Sequence, residues 1–262
     1  RSNRKTESIS KPDFTHMPRL TGAQFLADTL HLHEVTHVFF VPAILNQTLA
    51  EMELRETGID RVMTHGEKSA VYMADGFARV SGRPGITFAQ CVGAANLAAA
   101  LRDPYLACSP VVALTGGPYH DTRHRHTYQE IDDFSLFPAV TKSSTRVETI
   151  DRLPDAIGQA LRDATSGTPG PTHIELLGHM GEIELEELDV ELRQEPAITS
   201  VPATRTAAAN RDVQQAVQVL QESQKPVIVA GGGVKNSGAG PVLLQLAETL
   251  GIPVATSLNA KD

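Results

Sequence analysis

Short β-branched runs alternate with longer helical patterns through most of the chain, and this alternation constrains the fold more than any other feature. Residues 35–41 have the composition and length of a buried strand, and residues 172–177 are a further predicted strand. Between them, over residues 67–81, apolar side chains recur at helical spacing. Strands that alternate with helices favour a mostly parallel sheet with helices on both faces, so the predicted fold class is α/β. The other predicted strands are 61–65, 85–91, 110–115 and one near 140, and the other predicted helices are 21–33, 93–101 and 153–164.

An acidic, proline-containing segment interrupts the alternation. Residues 182–195 carry seven acidic side chains, and prolines follow them. We interpret residues 183–203 as a linker between two units. The first domain would then cover residues 18–182. Residues 1–17 are polar and basic and lack the apolar core of a secretory signal, so they are expected to form a flexible N-terminal tail.

A second α/β pattern begins after the linker. Helical spacing over residues 206–222 leads to an apolar strand at 226–230, the glycine cluster Gly231–Gly233, and a further helix and strand. An open sheet of two strands buries too little surface to be stable by itself. We therefore predict that residues 204–262 are the first part of a truncated, Rossmann-like central domain.

Charge and cysteine usage narrow the classes of partner. The net charge of −8 argues against nucleic acid, because phosphate binding requires clustered Lys and Arg. No apolar run approaches the roughly 20 residues that span a membrane. Cys91 and Cys108 form no CxxC pair, which is typical of a reducing compartment. The sequence therefore predicts a cytoplasmic protein that binds neither nucleic acid nor membrane.

The most informative segment for chemistry is HGEKSAVYMADGFAR, residues 65–79. Its Glu67 follows a predicted strand and opens a predicted helix, at the carboxyl edge of the sheet, where α/β proteins bind ligands. An acidic residue in the first turn of a helix also stabilises the helix dipole without any further role. Position alone therefore leaves both interpretations of Glu67 open.

The spacing within this segment resembles the pyrimidine-domain motif of thiamine-diphosphate enzymes of the acetolactate synthase and pyruvate decarboxylase superfamily. That motif has a glutamate, an alanine three residues later, and then A-D/E-G-Y/F-A-R, which correspond here to Glu67, Ala70 and residues 74–79. Weak motifs found in the family's order jointly carry more information than any one of them. Further segments that resemble family landmarks are VFFVPA (38–43), AQCVGAAN (89–96), ALTGGPYHD (113–121), YQEID (128–132), GTPGPTHIELL (167–177) and KPVIVAGGG (225–233).

The resemblance implies that Glu67 is the carboxylate that hydrogen-bonds N1′ of the coenzyme's pyrimidine ring. This contact favours the 4′-imino form, which removes the proton from the thiazolium carbon. Pro42 and Ala43 would lie beside the pyrimidine, with Phe40 and Ala43 in the place of family glycines. The first domain would thus be a thiamine-diphosphate pyrimidine-binding domain.

The same resemblance places Gly93 and Asn96 where the family's loop approaches the coenzyme, with Cys91 and Val92 in the place of a Gly-Pro pair. Asn96 also has a simpler interpretation, as an ordinary polar residue near the start of a helix. Both interpretations of Asn96 stay open from the sequence. Gly93 and Asn96 complete the set of predicted coenzyme-binding residues.

The loop after the strand at 110–115 contains three histidines, at 120, 124 and 126. Their spacing does not match a metal site, and a solvated loop would account for them. The resemblance places His126 at the second histidine of a pair in pyruvate decarboxylases. It places Gln129 at the glutamine of the F-Q-E motif in acetolactate synthases. We predict that His126 and Gln129 lie on the substrate side, for positioning or proton transfer.

The resemblance implies an enzyme that makes or breaks a carbon–carbon bond next to a carbonyl group. The leading class is a 2-oxo acid decarboxylase or an acetolactate-synthase-like carboligase. The first alternative is a 2-hydroxyacyl-CoA or oxalyl-CoA lyase, with an acyl-CoA substrate. An alternative of another class is a coenzyme-free α/β binding or regulatory module.

The resemblance also implies partners and cofactors outside the segments already considered. The family's Gly-Asp-Gly and asparagine motif, which binds Mg²⁺ and the diphosphate, is absent from residues 1–262, so these ligands are expected in a missing C-terminal part. The chain alone is expected to be inactive. It would act as a homodimer or homotetramer, or with a separate diphosphate-binding subunit. Gly231–Gly233 is a weak candidate for FAD or ADP, because the full GxGxxG pattern is absent.

Overall fold

A six-stranded sheet, parallel throughout, forms the centre of the first unit in the computed structural model, which describes residues 18–261. Its strand order is β3-β2-β4-β5-β7-β6. The predicted α/β class with a mostly parallel sheet is therefore confirmed, while the tail predicted for residues 1–17 lies outside the described part of the chain. The strands are β1 Arg19–Thr21, β2 His37–Phe40, β3 Asp60–Met63, β4 Gly85–Ala89, β5 Val111–Gly117, β6 Ser143–Val147, β7 Thr172–Leu177, β8 Glu187–Asp189, β9 Ile228–Ala230 and β10 Val254–Thr256. The helices are α1 Gly22–Leu32, α2 Asn46–Leu54, α3 Glu67–Ser81, α4 Ala94–Ala107, α5 Leu153–Thr165, α6 Asn210–Glu222, α7 Gly232–Asn236 and α8 Gly240–Leu250.

Two hydrophobic clusters lie on opposite faces of this sheet. In β2, Val38 and Phe40 belong to one cluster and Phe39 to the other, as the alternation of side chains along a strand requires. Helices α1 and α5 cover the first face, and helices α3 and α4 cover the second. Because both faces are covered, the central strands β4 and β5 are buried along their whole length and are rich in apolar residues, which is why the sequence reveals them.

Helix α2 is the main element that the apolar pattern does not predict. Only Thr48 and Met52 are buried in it, so its sequence has almost no apolar stripe. Its N-cap residue, Leu45, offers no side-chain hydrogen bond. Instead, the distant Glu184 carboxylate accepts hydrogen bonds from the backbone N–H groups of Gln47 and Thr48. Tertiary contacts therefore stabilise α2, and local sequence signals do not.

The segment predicted as a linker packs against the first unit. Strand β8 pairs antiparallel with β1, and the side chains of Ile183, Leu188 and Ile198 are buried in the core. These apolar residues contribute to the core, and most of the acidic residues around them face solvent, with the exception of Glu184, which is buried. The domain boundaries at 182 and 203 stay a prediction.

The second unit contains the parallel pair β9 and β10 with helices α6 to α8. No side chain of α6 is buried, although Val213 and Val217 share one face of the helix. The backbone N–H of Val201 bonds to the Gly82 carbonyl at 2.8 Å and joins the intervening segment to the first unit. Over residues 18–261, no helix is both long and apolar enough to cross a membrane.

His173 on β7 is a buried polar residue whose hydrogen bonds are fully internal. Its ring is stacked on Phe137 at 3.4 Å between centroids, and only 1% of the residue is exposed. Its Nε2 lies 2.8 Å from Thr115 Oγ1 and its Nδ1 2.7 Å from Ser144 Oγ. Burial, with the nearby Arg146 charge, holds the pKa of His173 well below its ordinary value of 6.5. The imidazole is therefore neutral in the folded protein at neutral pH.

This burial predicts a loss of stability in mild acid. The unfolded chain takes up a proton on His173 near pH 6.5, but the folded chain does not, so stability falls as the pH drops below 6.5. The contribution from His173 is about 1.4 kcal/mol per pH unit until the folded pKa is reached. Unfolding by denaturant at pH 7.5, 6.5 and 5.5 would measure it, with His173→Gln as the comparison. Equal pH slopes for the two proteins would contradict the prediction.

Candidate functional site

The carboxyl edge of the parallel sheet brings together the loops that contain the predicted site residues. Strand β2 lies between β3 and β4, and the chain runs outward from β2 and from β4 in opposite directions. Loops at such a switch point diverge and leave a crevice, which is where open α/β sheets bind ligands. Pro42 and Ala43 lie in the loop after β2 on one side, and Gly93 in the turn after β4 and Asn96 in the first turn of α4 lie on the other.

Glu67 is the first residue of α3, and its side chain reaches the loop after β4. Asn96 Nδ2 donates to Glu67 Oε2 at 3.1 Å, so two residues that are distant in sequence are in direct contact. The carboxylate also lies over Gly93, where an added Cβ would be 2.5 Å from Oε1 and 2.8 Å from Cγ. Gly93 is therefore needed for Glu67 to occupy this position. Glu67 is half-buried.

The turn after β2 has an unusual backbone at Ala43. Its φ is +111°, a region that is rare for any residue with a side chain, and Leu45 follows at +50°. Pro42 is exposed and Ala43 is half-buried. Ala43 thus has a conformation that glycine adopts without strain, and it occupies a position where the family motif has glycine.

Ala43→Gly is accordingly expected to stabilise the protein. Relief of an unfavourable φ raises the free energy of unfolding by about 1–3 kcal/mol, and the added freedom of glycine in the unfolded chain lowers it by about 0.5–1 kcal/mol. The net expected gain is about 1 kcal/mol, measured as a higher denaturant midpoint. Gly58→Ala should instead destabilise the protein. Gly58 has a φ of +70°, and no atom lies within 4 Å of the added Cβ, so only the backbone strain changes. A destabilising Ala43→Gly would contradict the strain argument.

The loop after β5 places Gln129 near this edge through its backbone. The Cys91 thiol donates to the Gln129 carbonyl at 2.9 Å, and Cys91 begins the short turn that includes Gly93. Burial raises the pKa of Cys91 to about 11, so its thiol stays protonated and remains a donor. The Gln129 side chain turns to Tyr128, with Nε2 3.1 Å from the phenol oxygen.

His126 lies farther out on the same loop. It is exposed, and its backbone has a φ of +54°. The pKa of the neighbouring Glu130 is lowered chiefly by hydrogen bonds from the backbone N–H groups of Thr127 and His124, with a smaller contribution from His126. Within residues 18–261, neither His126 nor Gln129 hydrogen-bonds Glu67. The structure therefore brings together Glu67, Gly93 and Asn96, but it does not join the two substrate-side candidates to them.

The far end of this loop is fixed to the sheet by a charged cluster. Arg146 on β6 forms ion pairs with Asp132, at 2.6 Å, and with Glu175 on β7, and its guanidinium lies 4.6 Å from the Phe134 ring centre. Burial raises the pKa of Glu175, and the hydrogen bond and positive charge of Arg146 offset only part of this rise. An added Cβ on Gly117 would be 2.6 Å from the Glu175 side chain. These contacts support the loop where it leaves and rejoins the sheet.

Sequence reasoning missed the segment that follows β7. Glu184 is buried there and binds the start of α2, and burial raises the pKa of its carboxyl group. The signal available in the sequence was the glycine pair Gly178 and Gly181, set directly after a buried strand. Among the described residues, no group of three or more His, Cys, Asp or Glu side chains could hold a metal ion.

Comparison with known families gives two matches in chain order. Residues 20–136 match the family model described as thiamine pyrophosphate enzyme, N-terminal TPP binding domain. Residues 213–262 match the one described as thiamine pyrophosphate enzyme, central domain. The first match contains the crevice with Glu67, Gly93 and Asn96.

Curated relatives align along most of the chain. A probable acetolactate synthase large subunit of Methanocaldococcus jannaschii is 34% identical over 249 residues, which cover 92% of this chain and 41% of the relative. The acetolactate synthase isozyme 2 large subunit of Escherichia coli is 31% identical over 244 residues, covering 92% and 42%. The chloroplastic acetolactate synthase of Arabidopsis thaliana is 30% identical over 239 residues, covering 90% and 35%. The chain spans about two fifths of the length of the curated relatives it matches.

Proposed function

Because the chain belongs to the thiamine-diphosphate-dependent enzyme superfamily, we propose that the whole protein is a carboligase that joins 2-oxo acids, like the acetolactate synthases it resembles. In the simplest such reaction, two pyruvate anions and a proton give 2-acetolactate and carbon dioxide. The observation that carries the proposal is the hydrogen bond between Asn96 and Glu67, whose carboxylate packs directly on the backbone of Gly93.

The residues at the crevice fit the pyrimidine ring of the coenzyme. The missing side chain at Gly93 leaves room for the Glu67 carboxylate at the switch point, and the exposed Pro42 would supply a rigid surface beside the ring. One carboxylate oxygen is bound to Asn96, so the other is available to a ring nitrogen. Thiamine diphosphate, when bound, supplies a thiazolium carbon that becomes a nucleophile after it loses its proton.

Each residue has a distinct role in this proposal. Glu67 shares a proton with the ring nitrogen N1′, and Asn96 keeps the carboxyl group in one orientation. Pro42 and Ala43 form the wall beside the ring. His126 and Gln129 act on the substrate side, and neither side chain hydrogen-bonds Glu67, which faces the pyrimidine ring.

The cofactors and partners beyond the coenzyme belong to the same proposal. Mg²⁺ would be bound with the diphosphate by residues outside this chain. FAD or ADP would lie at Gly231–Gly233, beside a cleft of about 590 Å³ lined by Arg205, Lys235 and Asn259 among others. Since several relatives are named large subunits, a separate small subunit is the expected partner, with a homodimer or homotetramer as the core. The two free thiols are consistent with a cytoplasmic location.

The test is made on the full-length gene product with Mg²⁺. Calorimetry should detect binding of thiamine diphosphate, and pyruvate should give 2-acetolactate in a product assay. Cleavage of an acyl-CoA with no carboligation would favour the lyase alternative. Absence of coenzyme binding would overturn the proposal and favour the coenzyme-free α/β module.

A further inference from the structure

Three successive carbonyl groups after β7 bind three separate parts of the carboxyl edge. The carbonyls belong to residues 178–180, and they accept backbone hydrogen bonds from the end of β5, the loop after β4 and the loop after β2. Gly117 N donates to Gly178 O at 2.9 Å, Cys91 N to His179 O at 3.0 Å, and Leu45 N to Met180 O at 3.0 Å. The donors are the last residue of β5 and residues in the loops after β4 and β2, and five of the predicted site residues, all except Glu67 and Asn96, lie in the loops that follow these three strands. One short segment therefore sets the distances between the ends of these strands and the loops that follow them.

Close packing keeps this segment in one place. An added Cβ on Gly116 would be 2.0 Å from the His179 carbonyl oxygen, so β5 approaches the segment as closely as a backbone can. Gly178 has a φ of +95°, and the Leu45 side chain lies 2.9 Å from the position of a Cβ on Gly181. The segment cannot shift toward the crevice without colliding with the strand or the loop it supports.

Glu184 extends this support to the loop that contains Pro42 and Ala43. Its carboxylate accepts from Gln47 N at 3.0 Å, from Thr48 N at 2.7 Å and from Thr48 Oγ1 at 2.7 Å. These N–H groups open α2, where backbone donors have no partner inside the helix. A carboxylate at this end also opposes the positive end of the helix dipole. Glu184 thus acts as the cap that α2 lacks in its own sequence.

We propose that residues 178–184 are a positioning segment for the coenzyme site, with Glu184 as the side chain that holds the loop after β2 beside the pyrimidine. This inference rests on the proposed function, because it assigns the segment a role toward bound thiamine diphosphate. Glu184 touches neither coenzyme nor substrate in this proposal. It acts through Gln47 and Thr48 on Pro42 and Ala43.

The experiment compares three variants of the full-length gene product. Glu184→Ala removes the cap, Glu184→Gln keeps one acceptor oxygen, and Glu186→Gln makes the same charge change at an exposed neighbour. In the coenzyme-free protein, hydrogen exchange over residues 42–48 should be about tenfold faster in Glu184→Ala, as expected for loss of a helix cap. The KM for thiamine diphosphate should rise about tenfold, while kcat at saturating coenzyme changes less than about threefold. Glu184→Gln should recover part of both effects, and Glu186→Gln should match the wild type.

The outcomes separate this inference from the proposed function. Coenzyme binding by the wild type with an unchanged KM in Glu184→Ala would overturn the positioning role alone, even if residues 42–48 exchanged faster. A KM raised equally in Glu186→Gln would also overturn it, because the effect would then come from charge in general. Failure of the wild type to bind thiamine diphosphate would overturn the proposed function and this inference together.

Discussion

Glu67→Gln is expected to lower turnover by about 10²–10⁴-fold in the full-length gene product, while the affinity for thiamine diphosphate changes by less than about tenfold. Glutamine has the shape of glutamate and keeps an oxygen that can accept from Asn96 Nδ2, which lies 3.1 Å from the carboxylate in the wild type. It cannot share a proton with a ring nitrogen. The loss should therefore appear in kcat, because the amide preserves binding but not proton exchange.

A matched control is available on the opposite edge of the sheet. Glu56 is exposed between α2 and β3, so Glu56→Gln makes the same chemical change far from the crevice. Steady-state kinetics should show wild-type turnover for this control. If Glu67→Gln kept more than about a tenth of the wild-type kcat, Glu67 would not be the activating group, and the role taken from the family motif would be wrong.

Gly116→Ala is expected to destabilise the protein by about 3 kcal/mol or more. The added Cβ would lie 2.0 Å from the His179 oxygen and 2.4 Å from its carbonyl carbon. Both are backbone atoms, so no side-chain rotation can relieve the overlap. Either β5 or the positioning segment must move, and each movement breaks hydrogen bonds at the crevice.

Gly158→Ala is the contrasting variant for this prediction. Gly158 lies inside α5, and an added Cβ there meets no atom within 4 Å. Alanine should therefore stabilise that helix by about 0.5–1 kcal/mol. Thermal and denaturant unfolding of both variants would measure the two effects. Equal stability of Gly116→Ala and the wild type would mean that the segment and β5 are farther apart than described.

The sheet was predictable because both of its faces are covered. Full burial makes central strands such as β5 rich in apolar residues, and helices such as α3 keep a clear apolar stripe. Strands β1 and β8 were not predictable, because each has three residues and their pairing joins distant parts of the chain. Helix α2 was missed for a related reason, since its cap comes from Glu184.

The site was predictable only where the chemistry depends on residue type. Glu67 and Asn96 lie within residues 20–136, which match the family's N-terminal domain, while their roles at the site stay a prediction. Their contact with each other, and the fit of the carboxylate over Gly93, required coordinates. The carbonyl groups of residues 178–180 leave no trace in the sequence, because every residue has a carbonyl group.

The order of these contacts along the chain has a consequence for biosynthesis. Leu45, Cys91 and Gly117 leave the ribosome before the carbonyl groups that bind them, and β7 enters the sheet between β5 and β6. In a nascent chain that ends before residue 178, the backbone N–H groups of these three residues therefore lack the partners they have in the fold. Such non-local pairing is slow compared with helix formation. We expect chaperone binding to the nascent chain to persist until this segment has emerged, and to end when it docks.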